Sequence, residues 1–432
     1  MRAMTKIALA AVLMAALAVM MDGAMAQMRG HGGAVRSVAI SPDGQSILSG
    51  SFDTSVIRWS AATGFAEQVL RFHSDAVNAV VFLDNKRIAS AGADARIALW
   101  TAGRAQPDTV LSGHSAPIVA LAVSPDHTRL ASASWDGSVR LWPLDGSRAS
   151  RVLEGHRQNV NGVAFMPDGR SVVSVGYDLT LRIWPVAGGT PDVVGLPSPL
   201  NAVAIGSDGG IAAGGADGKI YFLARNGKVM GETQAGRTPI ISLAVSPDGA
   251  LLAAASIGGS VAIIDRRTQA LVRTLVGPGL PVWSVAFFAD SQTLLTGGAD
   301  HAIRRWNAQT GEPIGSPVMG APGDPLAAFA GDHGAEIFRS CIACHTLSKD
   351  DGMRAGPTLA GIFGRRIASL PDYNFSDALK KMDIVWTPET VAKLFELGPA
   401  AYTPGTKMPE QRIELPEDRR ALTDFLARAT TK

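Results

Sequence analysis

The chain has 432 residues, of which 46% are hydrophobic, and its formal net charge at pH 7 is only +2. A chain of this length is expected to form two or three domains, each with an apolar core. The near balance of charge removes the electrostatic argument for binding nucleic acid or an anionic membrane surface. Only two cysteines are present, Cys341 and Cys344. Their proximity suggests that they share one task.

The first 26 residues have the pattern of an export signal. Arg2 and Lys6 precede an apolar run over 7–21, and Ala24 and Ala26 form a small-residue cleavage site before Gln27. An uncleaved anchor is the alternative, but the run is shorter than the roughly 20 apolar residues that a spanning helix needs. We therefore predict a cleaved signal peptide over residues 1–26 and a mature chain without a membrane span. The expected location is the periplasm, an oxidising compartment.

A repeat fills most of the chain after this signal. Histidines at 31, 73, 114 and 156 recur at intervals of 42, 41 and 42 residues. Each is followed at nearly constant spacing by Ser, Asp and Trp, in the sets His31/Ser49/Asp53/Trp59, His73/Ser90/Asp94/Trp100, His114/Ser132/Asp136/Trp142 and His156/Ser174/Asp178/Trp184. Apolar and small or polar residues alternate within each unit, which predicts short strands, and Pro-Asp pairs predict tight turns between them. Such a period indicates a structural unit repeated in space.

These units resemble the WD-repeat family, whose members fold as β-propellers with four-stranded blades. The resemblance implies that each set of four residues forms a hydrogen-bonded ladder across its blade, so that these histidines are structural. Three further units, at 198–237, 238–279 and 280–318, keep the spacing but have lost parts of the ladder. We therefore predict an all-β, seven-bladed propeller over residues 27–318.

The closure of the propeller ring can also be predicted. Only residues 27–30 lie between the expected cleavage site and the first unit. Four residues are too few to supply a paired outer strand on this interpretation. We therefore expect residues 311–318, rather than the start of the mature chain, to form the outer strand of the last blade.

The sequence pattern changes after residue 318. Residues 319–327 are rich in Gly and Pro and lack periodicity, which predicts a linker. Residues 332–339 begin like a helix, and residues 416–429 open with Pro and two acidic residues and carry an apolar stripe. Residues 328–432 are therefore predicted to form a small all-α domain.

Both cysteines lie in this second domain, in the sequence Cys341-Ile-Ala-Cys344-His345. This is the attachment pattern of c-type haem, in which each thiol adds across a haem vinyl group and the adjacent histidine binds the iron. A thioredoxin-type redox pair is expected in an α/β setting, and a structural zinc site needs two more ligands at short spacing. The pattern therefore favours one covalently attached haem c over these two alternatives.

Residues 328–432 resemble the class I cytochromes c. The matching stretches include GAEIFRSCIACH (334–345), GPTLAGIFGRR (356–366), YNFSDALKK (373–381) and YTPGTKMP (402–409). The resemblance implies that His345 and Met408 are the two axial ligands of the haem iron. It implies further haem contacts at Pro357, whose carbonyl would fix the His345 ring, and near the propionates at Arg365, Trp386 and Thr406. It also implies that Gly334 and Phe338 pack on Leu422 and Phe425.

The domain departs from the family pattern in two places. Leu394 and Phe395 stand where members commonly have a Tyr that bonds to the Met sulfur. Phe375 replaces a propionate-binding Tyr, and Tyr373 is the candidate substitute. Met353 and Met382 are rival axial ligands, but the first follows the haem motif in a loop and the second precedes Trp386.

These observations predict an electron-transfer protein rather than an enzyme, although it could be a subunit of an oxidoreductase complex. With His345 and Met408 on the iron, oxygen, peroxide or nitrite could reach it only by displacing Met408. Electrons are expected to pass through an exposed haem edge near residues 342, 343 and 407.

The propeller is expected to dock a redox partner that the sequence does not identify. Aromatic side chains are frequent interface anchors, although these could instead pack between blades, and the candidates are Phe52, Trp135, Tyr177 and Trp283. The alternative function is a periplasmic oxidoreductase with a second cofactor or substrate site in the propeller. It would require a ligand among the remaining histidines, which are His127, His301 and His333.

Overall fold

A computed structural model describes residues 27–146, 150–277, 279–315, 326–342, 344–349, 356–371, 373, 375–406, 408 and 411–430. The predicted signal peptide lies outside these residues, as does most of the predicted linker. Within the described ranges, no helix has both the length and the apolar character needed to cross a membrane.

The first part of the chain folds into seven four-stranded sheets, which we number as blades 1 to 7. The first strand, β1 (Gln27–Arg29), belongs to blade 7, and blades 1 to 6 each use four consecutive strands. Blades 1 to 3 comprise β2 (Val35–Ile40), β3 (Ser46–Ser51), β4 (Ser55–Ser60) and β5 (Ala66–Arg71); β6 (Val77–Phe82), β7 (Arg87–Gly92), β8 (Arg96–Thr101) and β9 (Thr109–Ser112); and β10 (Ile118–Val123), β11 (Arg129–Ser134), β12 (Ser138–Pro143) and β13 (Arg151–Glu154).

Blades 4 to 6 repeat the same order: β14 (Val160–Phe165), β15 (Ser171–Gly176), β16 (Thr180–Pro185) and β17 (Asp192–Gly195); β18 (Leu200–Ile205), β19 (Ile211–Gly215), β20 (Lys219–Leu223) and β21 (Val229–Gln234); and β22 (Ile240–Val245), β23 (Leu251–Ser256), β24 (Ser260–Asp265) and β25 (Ala270–Val276). The first strand of each blade contacts the first strands of the two adjacent blades, and these contacts run around the whole ring. They are therefore the innermost strands of the propeller. The predicted number of blades is confirmed.

Blade 7 is closed by the start of the described chain. It contains β26 (Val282–Phe287), β27 (Thr293–Gly298) and β28 (Ala302–Asn307), and β1 pairs antiparallel with β28 so that Met28 lies opposite Ile303. The prediction that residues 311–318 form this outer strand alone was wrong. Three residues suffice because Met28 is fully buried in an apolar cluster with Ile303. In the described residues, the later segment adds one bridge to the same edge, between Trp306 and Pro313.

The predicted ladders form in blades 1 to 4. In blade 1, His31 Nδ1 lies 2.8 Å from Asp53 Oδ2 and His31 Nε2 lies 2.7 Å from Ser49 Oγ. Trp59 Nε1 donates to the same Ser49 hydroxyl at 2.8 Å. Equivalent bonds join the sets that begin at His73, His114 and His156. The imidazoles and carboxylates satisfy one another, which makes their burial tolerable.

Blades 5 and 7 replace the missing histidine in ways that the sequence reading did not find. In blade 5 the buried Tyr221 hydroxyl donates to Asp217 Oδ2 at 2.6 Å. In blade 7, Arg304 forms an ion pair with Asp300, while Trp306 Nε1 still donates to a threonine hydroxyl at 3.0 Å. The sequence does contain a signal for these replacements, which is a Tyr or Arg four residues after the ladder Asp. At that spacing the side chain lies on the strand that follows the Asp.

The second part of the described chain is helical. A short 3₁₀ turn, Ala327–Phe329, precedes the helices α1 (His333–Phe338), α2 (Asp377–Lys380), α3 (Pro388–Leu397), α4 (Pro399–Tyr402) and α5 (Pro416–Ala429). The Asp332 side chain caps α1 by accepting from the Ala335 amide. The turn begins at Ala327, which is the last residue of the predicted linker.

Helices α1 and α5 cross at close range. A Cβ at Gly334 would lie 2.2 Å from the Ala421 carbonyl oxygen, so only glycine allows this approach. The rings of Phe338 and Phe425 have centroids 5.4 Å apart, and Leu422 belongs to the same buried cluster. The contact between the two terminal helices that the resemblance implied is therefore present.

Candidate functional site

The helical part of the chain encloses a cavity of about 690 Å³, lined by side chains from α1, α2, α3 and α5. The nine residues that the sequence singled out for the haem all lie on its walls: Cys341, Cys344, His345, Pro357, Arg365, Tyr373, Trp386, Thr406 and Met408. They come from segments far apart in the chain. The structure thus brings together thiols, an imidazole and a thioether around one space.

The two cysteines are presented by tight turns that follow α1. The amide of Cys341 donates to the Phe338 carbonyl at 2.7 Å, and the amides of Cys344 and His345 donate to the Cys341 carbonyl at 3.0 and 2.9 Å. Both side chains are buried. Burial raises the pKa of the Cys341 thiol to about 12. Burial thus disfavours the Cys341 thiolate, which is the form that disulfide exchange needs.

The imidazole of His345 is held in one orientation. Its Nδ1 lies 2.7 Å from the Pro357 carbonyl oxygen. A carbonyl oxygen only accepts hydrogen bonds, so Nδ1 carries the proton and donates it in this bond, and the lone pair for a metal is then on Nε2. Gly356 forms the floor below the ring, because a Cβ there would lie 2.5 Å from His345 Cε1 and 2.7 Å from Nδ1. This cradle fits a histidine that must keep a fixed orientation.

Met408 is the methionine on the cavity wall among the described residues. Its amide donates to Thr406 Oγ1 at 3.1 Å, so the predicted propionate contact Thr406 also shapes the turn that carries Met408. Met382 does not line the cavity, and Met353 lies outside the described residues. Met408 is therefore the candidate sulfur ligand among the described residues.

Arg365 is a partly buried cation beside the cavity. Its guanidinium donates to the carbonyls of Ala360 and Thr358 at 2.9 and 2.8 Å, and desolvation lowers its pKa. Within the described part of the chain no carboxylate pairs with it. A partly buried guanidinium without a carboxylate partner suits an anionic group such as a haem propionate.

Tyr373 and Trp386 complete the polar side of the cavity. Burial raises the pKa of Tyr373 to about 12, so its hydroxyl stays protonated and can donate. Its ring packs edge-on against Phe375 at 4.7 Å between centroids. Leu394 and Phe395 of α3 also line the cavity and are buried, and neither side chain has a hydroxyl to offer a methionine sulfur.

One expectation about the haem edge was wrong. Ile342 is only 3% exposed and packs in the core of the helical part, so it does not lie at an accessible edge. Cys344 packs in the propeller cluster that contains Met28. The other two residues expected at the edge, 343 and 407, lie outside the described residues.

The propeller also contributes to the cavity, which no sequence motif indicated. Arg58, Gln68 and Val69 of blade 1 lie on its walls together with residues of the loop after β8. Arg71 donates to the Met408 carbonyl, and Gln411 Nε2 donates to the Gly30 carbonyl at 2.9 Å. The rim of blades 1 and 2 therefore covers part of the cavity.

The propeller residues singled out by the sequence are distributed differently. Phe52 and Trp135 are each 45% exposed and Tyr177 is 42% exposed, whereas Trp283 is half-buried. His127 Nδ1 lies 2.8 Å from the Leu83 carbonyl oxygen, and His333 Nε2 lies 2.7 Å from Asp418. In the described ranges, no group of three or more His, Cys, Asp or Glu side chains is arranged to hold a metal ion.

Comparisons with known proteins agree with both parts of the chain. A family model described as the IFT122 first beta-propeller matches residues 83–319, and one described as WD domain, G-beta repeat matches residues 24–60. Cytochrome c of Cochliobolus lunatus is 40% identical over 98 residues, which are 22% of this chain and 90% of that protein. Cytochrome c of Arabidopsis thaliana is 40% identical over 98 residues, which are 22% of this chain and 87% of that protein.

A cytochrome c homolog of Rickettsia typhi is 41% identical over 107 residues, which are 25% of this chain and 57% of that protein. The propeller matches end at residue 319, and the haem-binding pattern occurs once in the chain, around its two cysteines after that residue. The chain therefore belongs to the WD-repeat β-propeller family and, in a separate stretch, to the cytochrome c family.

Proposed function

We propose that this protein is a periplasmic c-type cytochrome that carries single electrons on one covalently attached haem, with the propeller as the scaffold that docks its redox partner. The observation that carries the proposal is the convergence of two cysteines, a fixed imidazole and a methionine on one cavity of about 690 Å³. The cytochrome c relatives support an electron-transfer role for this stretch.

The chain's own residues would hold the group in four ways. The thiols of Cys341 and Cys344 would form thioethers with its vinyl carbons, and His345 Nε2 and the Met408 sulfur would bind the iron. The Pro357 carbonyl orients the imidazole, and the Thr406 hydroxyl holds the Met408 backbone. When bound, the haem supplies a reversible one-electron couple at its iron.

The surroundings favour electron transfer over catalysis. His345 and Met408 would both be engaged in holding the iron, so a substrate would have to compete with the Met408 sulfur to bind it. The thioether favours the ferrous state and raises the potential. Leu394, Phe395 and Phe338 line the cavity with apolar surface that keeps water away from the metal position.

The docking role of the propeller is supported by its surface. Three aromatic side chains, Phe52, Trp135 and Tyr177, remain more than two fifths exposed although such residues usually become buried in a monomer. The covering of the haem cavity by blades 1 and 2 supports a second role, in which the propeller limits access to the haem. We therefore place partner recognition on the propeller rather than on the helical part.

A haem count on the exported protein tests the proposal. Pyridine haemochrome analysis should give one haem per chain, and reductive titration should consume one electron per chain. The haem should stay with the denatured wild-type chain on a gel and be lost from the double variant Cys341→Ser/Cys344→Ser. A second haem or a second electron equivalent would favour the alternative oxidoreductase with a cofactor in the propeller.

The same preparation tests the location. Fractionation of the native host should place the protein in the periplasm, and its mature form should begin at Gln27. Retention of residues 1–26 in a membrane fraction would refute the cleaved signal peptide.

A further inference from the structure

The segment that carries Met408 is fixed to the helical part of the chain at its two ends. Before Met408, the Thr406 amide donates to the Thr403 carbonyl at 3.1 Å. After it, the Ile413 amide donates to the Phe395 carbonyl of α3 at 3.0 Å. We call the residues from Thr406 to Ile413 the methionine loop. Residues 407, 409 and 410 of this loop lie outside the described residues.

Between these ends, the methionine loop is bonded to the propeller. Among the described residues, Met408 has two hydrogen bonds. Its amide donates to Thr406 Oγ1 at 3.1 Å, which is a bond within the loop, and its carbonyl accepts from the Arg71 guanidinium. Farther along the loop, Gln411 Nε2 donates to the Gly30 carbonyl at 2.9 Å. The propeller therefore anchors the loop at Met408 and at Gln411.

Both anchors stand on regular parts of the propeller. Arg71 is the last residue of β5 in blade 1, where it lies opposite Ser55 of β4. Gly30 directly follows β1, the strand that closes the ring and whose Met28 is fully buried. Strands within a paired sheet keep their positions, and a hydrogen bond from a charged donor is stronger than one between neutral groups. Arg71 is therefore the stronger of the two anchors.

The helical part gives the Met408 side chain little support of its own. The buried side chains of Leu394 and Phe395 line the same cavity, but neither has a hydroxyl for the sulfur. Met408 itself is half-buried. A methionine side chain has three rotatable bonds and adapts to many positions, so its backbone must be fixed before its sulfur has a defined place. The bond to the Met408 carbonyl supplies that constraint.

The Arg71 contact belongs to a wider interface between the propeller and the haem cavity. Gln68 and Val69, which precede Arg71 on β5, line the cavity. Cys344 packs in the apolar propeller cluster that contains Met28. Blade 1 and the closing strand thus contact the site at Cys344 and again at the methionine loop.

We propose that Arg71 is a positioning residue for Met408, through which the propeller keeps the methionine sulfur on the haem iron, and that Gln411 is the second anchor of the same loop. This inference rests on the proposed function, because the ligand role of Met408 does. A bond that is made when the sulfur binds iron and lost when it leaves stabilises the bound arrangement. The propeller thereby takes part in haem ligation in addition to docking a partner.

Competition with free imidazole tests this role on the full-length, haem-loaded ferric protein. Imidazole displaces the Met408 sulfur, and loss of the charge-transfer band of sulfur-ligated ferric haem reports the displacement. The variant Arg71→Met should lower the Kd for imidazole about tenfold, as expected for loss of a hydrogen bond from a charged donor. Gln411→Met should lower it about two- to tenfold, because its bond is between neutral groups.

The reduction potential gives an independent readout. Because the thioether favours the ferrous state, a weaker bond from Met408 should lower the potential of Arg71→Met. The variant Arg71→Lys keeps a charged donor on a long side chain and should recover most of the wild-type imidazole affinity and potential. An unchanged Kd for imidazole in Arg71→Met would overturn the proposal.

Arg104→Met is the matched control for loss of charge. Arg104 lies in the loop after β8, between Gly103 and Ala105, which both line the cavity. Its side chain is 69% exposed and is paired with Asp108 at 2.9 Å. This variant removes the same charge from the same rim and should keep the wild-type Kd and potential. Equal shifts in Arg104→Met and Arg71→Met would indicate an effect of charge and refute the positioning role.

Hydrogen exchange followed by mass spectrometry shows whether the effect is local. In Arg71→Met, exchange should become faster in peptides that cover residues 403–415 and stay unchanged in α1 and α5. Faster exchange throughout the helical part would indicate general loss of structure and refute the positioning role.

The wild-type protein separates failure of this inference from failure of the proposed function. A wild type without haem, or without the sulfur band, would refute the proposed ligand set and this inference with it. A wild type with both, together with an Arg71→Met variant that behaves identically, would refute the positioning role alone.

Discussion

Gly356 is the position at which the candidate site is most sensitive to one added methyl group. An alanine Cβ would lie 2.5 Å from His345 Cε1, 2.7 Å from His345 Nδ1 and 2.8 Å from the Cys344 carbonyl oxygen. These neighbours are a ring and a backbone atom, which cannot withdraw as the end of a flexible side chain can. Gly356→Ala should therefore push the imidazole away from the Pro357 carbonyl, to which it is hydrogen-bonded at 2.7 Å.

The expected cost can be worked from these contacts. Overpacking a filled site costs about 1–3 kcal/mol. Loss of the hydrogen bond between His345 and Pro357 adds about 0.5–1.5 kcal/mol, so the helical part should lose roughly 2–4 kcal/mol of unfolding free energy. The displaced imidazole should also weaken the iron bond and alter the absorption spectrum.

Guanidinium chloride unfolding of the haem-loaded protein measures this loss. Haem absorbance reports the helical part and far-ultraviolet circular dichroism reports mainly the propeller, so the midpoint of the first signal should fall while that of the second stays in place. Gly195→Ala is the control, because its Cβ would meet nothing within 4 Å. A wild-type midpoint and spectrum in Gly356→Ala would refute the cradle argument.

Three further substitutions test other parts of the structure. Met28→Ala should cost the propeller about 2–5 kcal/mol in denaturant unfolding because Met28 is fully buried in the closing strand, whereas the 59% exposed Met230 should tolerate alanine; equal effects would contradict closure by β1. Tyr221→Phe leaves Asp217 without its hydroxyl donor and should cost about 1–3 kcal/mol by the same assay, and no loss would show that water replaces the hydroxyl. Met408→Ala should lower the reduction potential and remove the charge-transfer band of sulfur-ligated ferric haem, and survival of that band would indicate another axial ligand.

Much of the candidate site could be predicted because its chemistry is concentrated in short motifs. Cys341, Cys344 and His345 lie within one turn of chain, so their roles follow from spacing alone. Met408 needed the resemblance of a longer stretch, since an isolated methionine carries no signal of its own. In the structure, Met408 and His345 line the same cavity, and Met382 does not.

Other site features could not be predicted because they depend on how distant segments pack. The clash at Gly356 depends on the position of the His345 ring, and the burial of Ile342 depends on the helices around it. The contact of Arg71 with the Met408 carbonyl joins residues from different parts of the molecule. Sequence spacing does not report such distances.

The sequence by itself determined the seven repeats, the four complete ladders and the haem motif, because each is a pattern of local spacing that recurs or stands within a few residues. Only the tertiary structure decided how the ring closes, since pairing of β1 with β28 depends on bringing the two ends of the propeller together. It also decided that Arg36 and Trp283, which lie in the first and last blades, pack against each other, with 4.5 Å between Arg36 Cζ and the centroid of the Trp283 ring. The physical reason is that a hydrogen bond or a buried charge is satisfied by neighbours in space, and those neighbours are set by the closure of the whole ring.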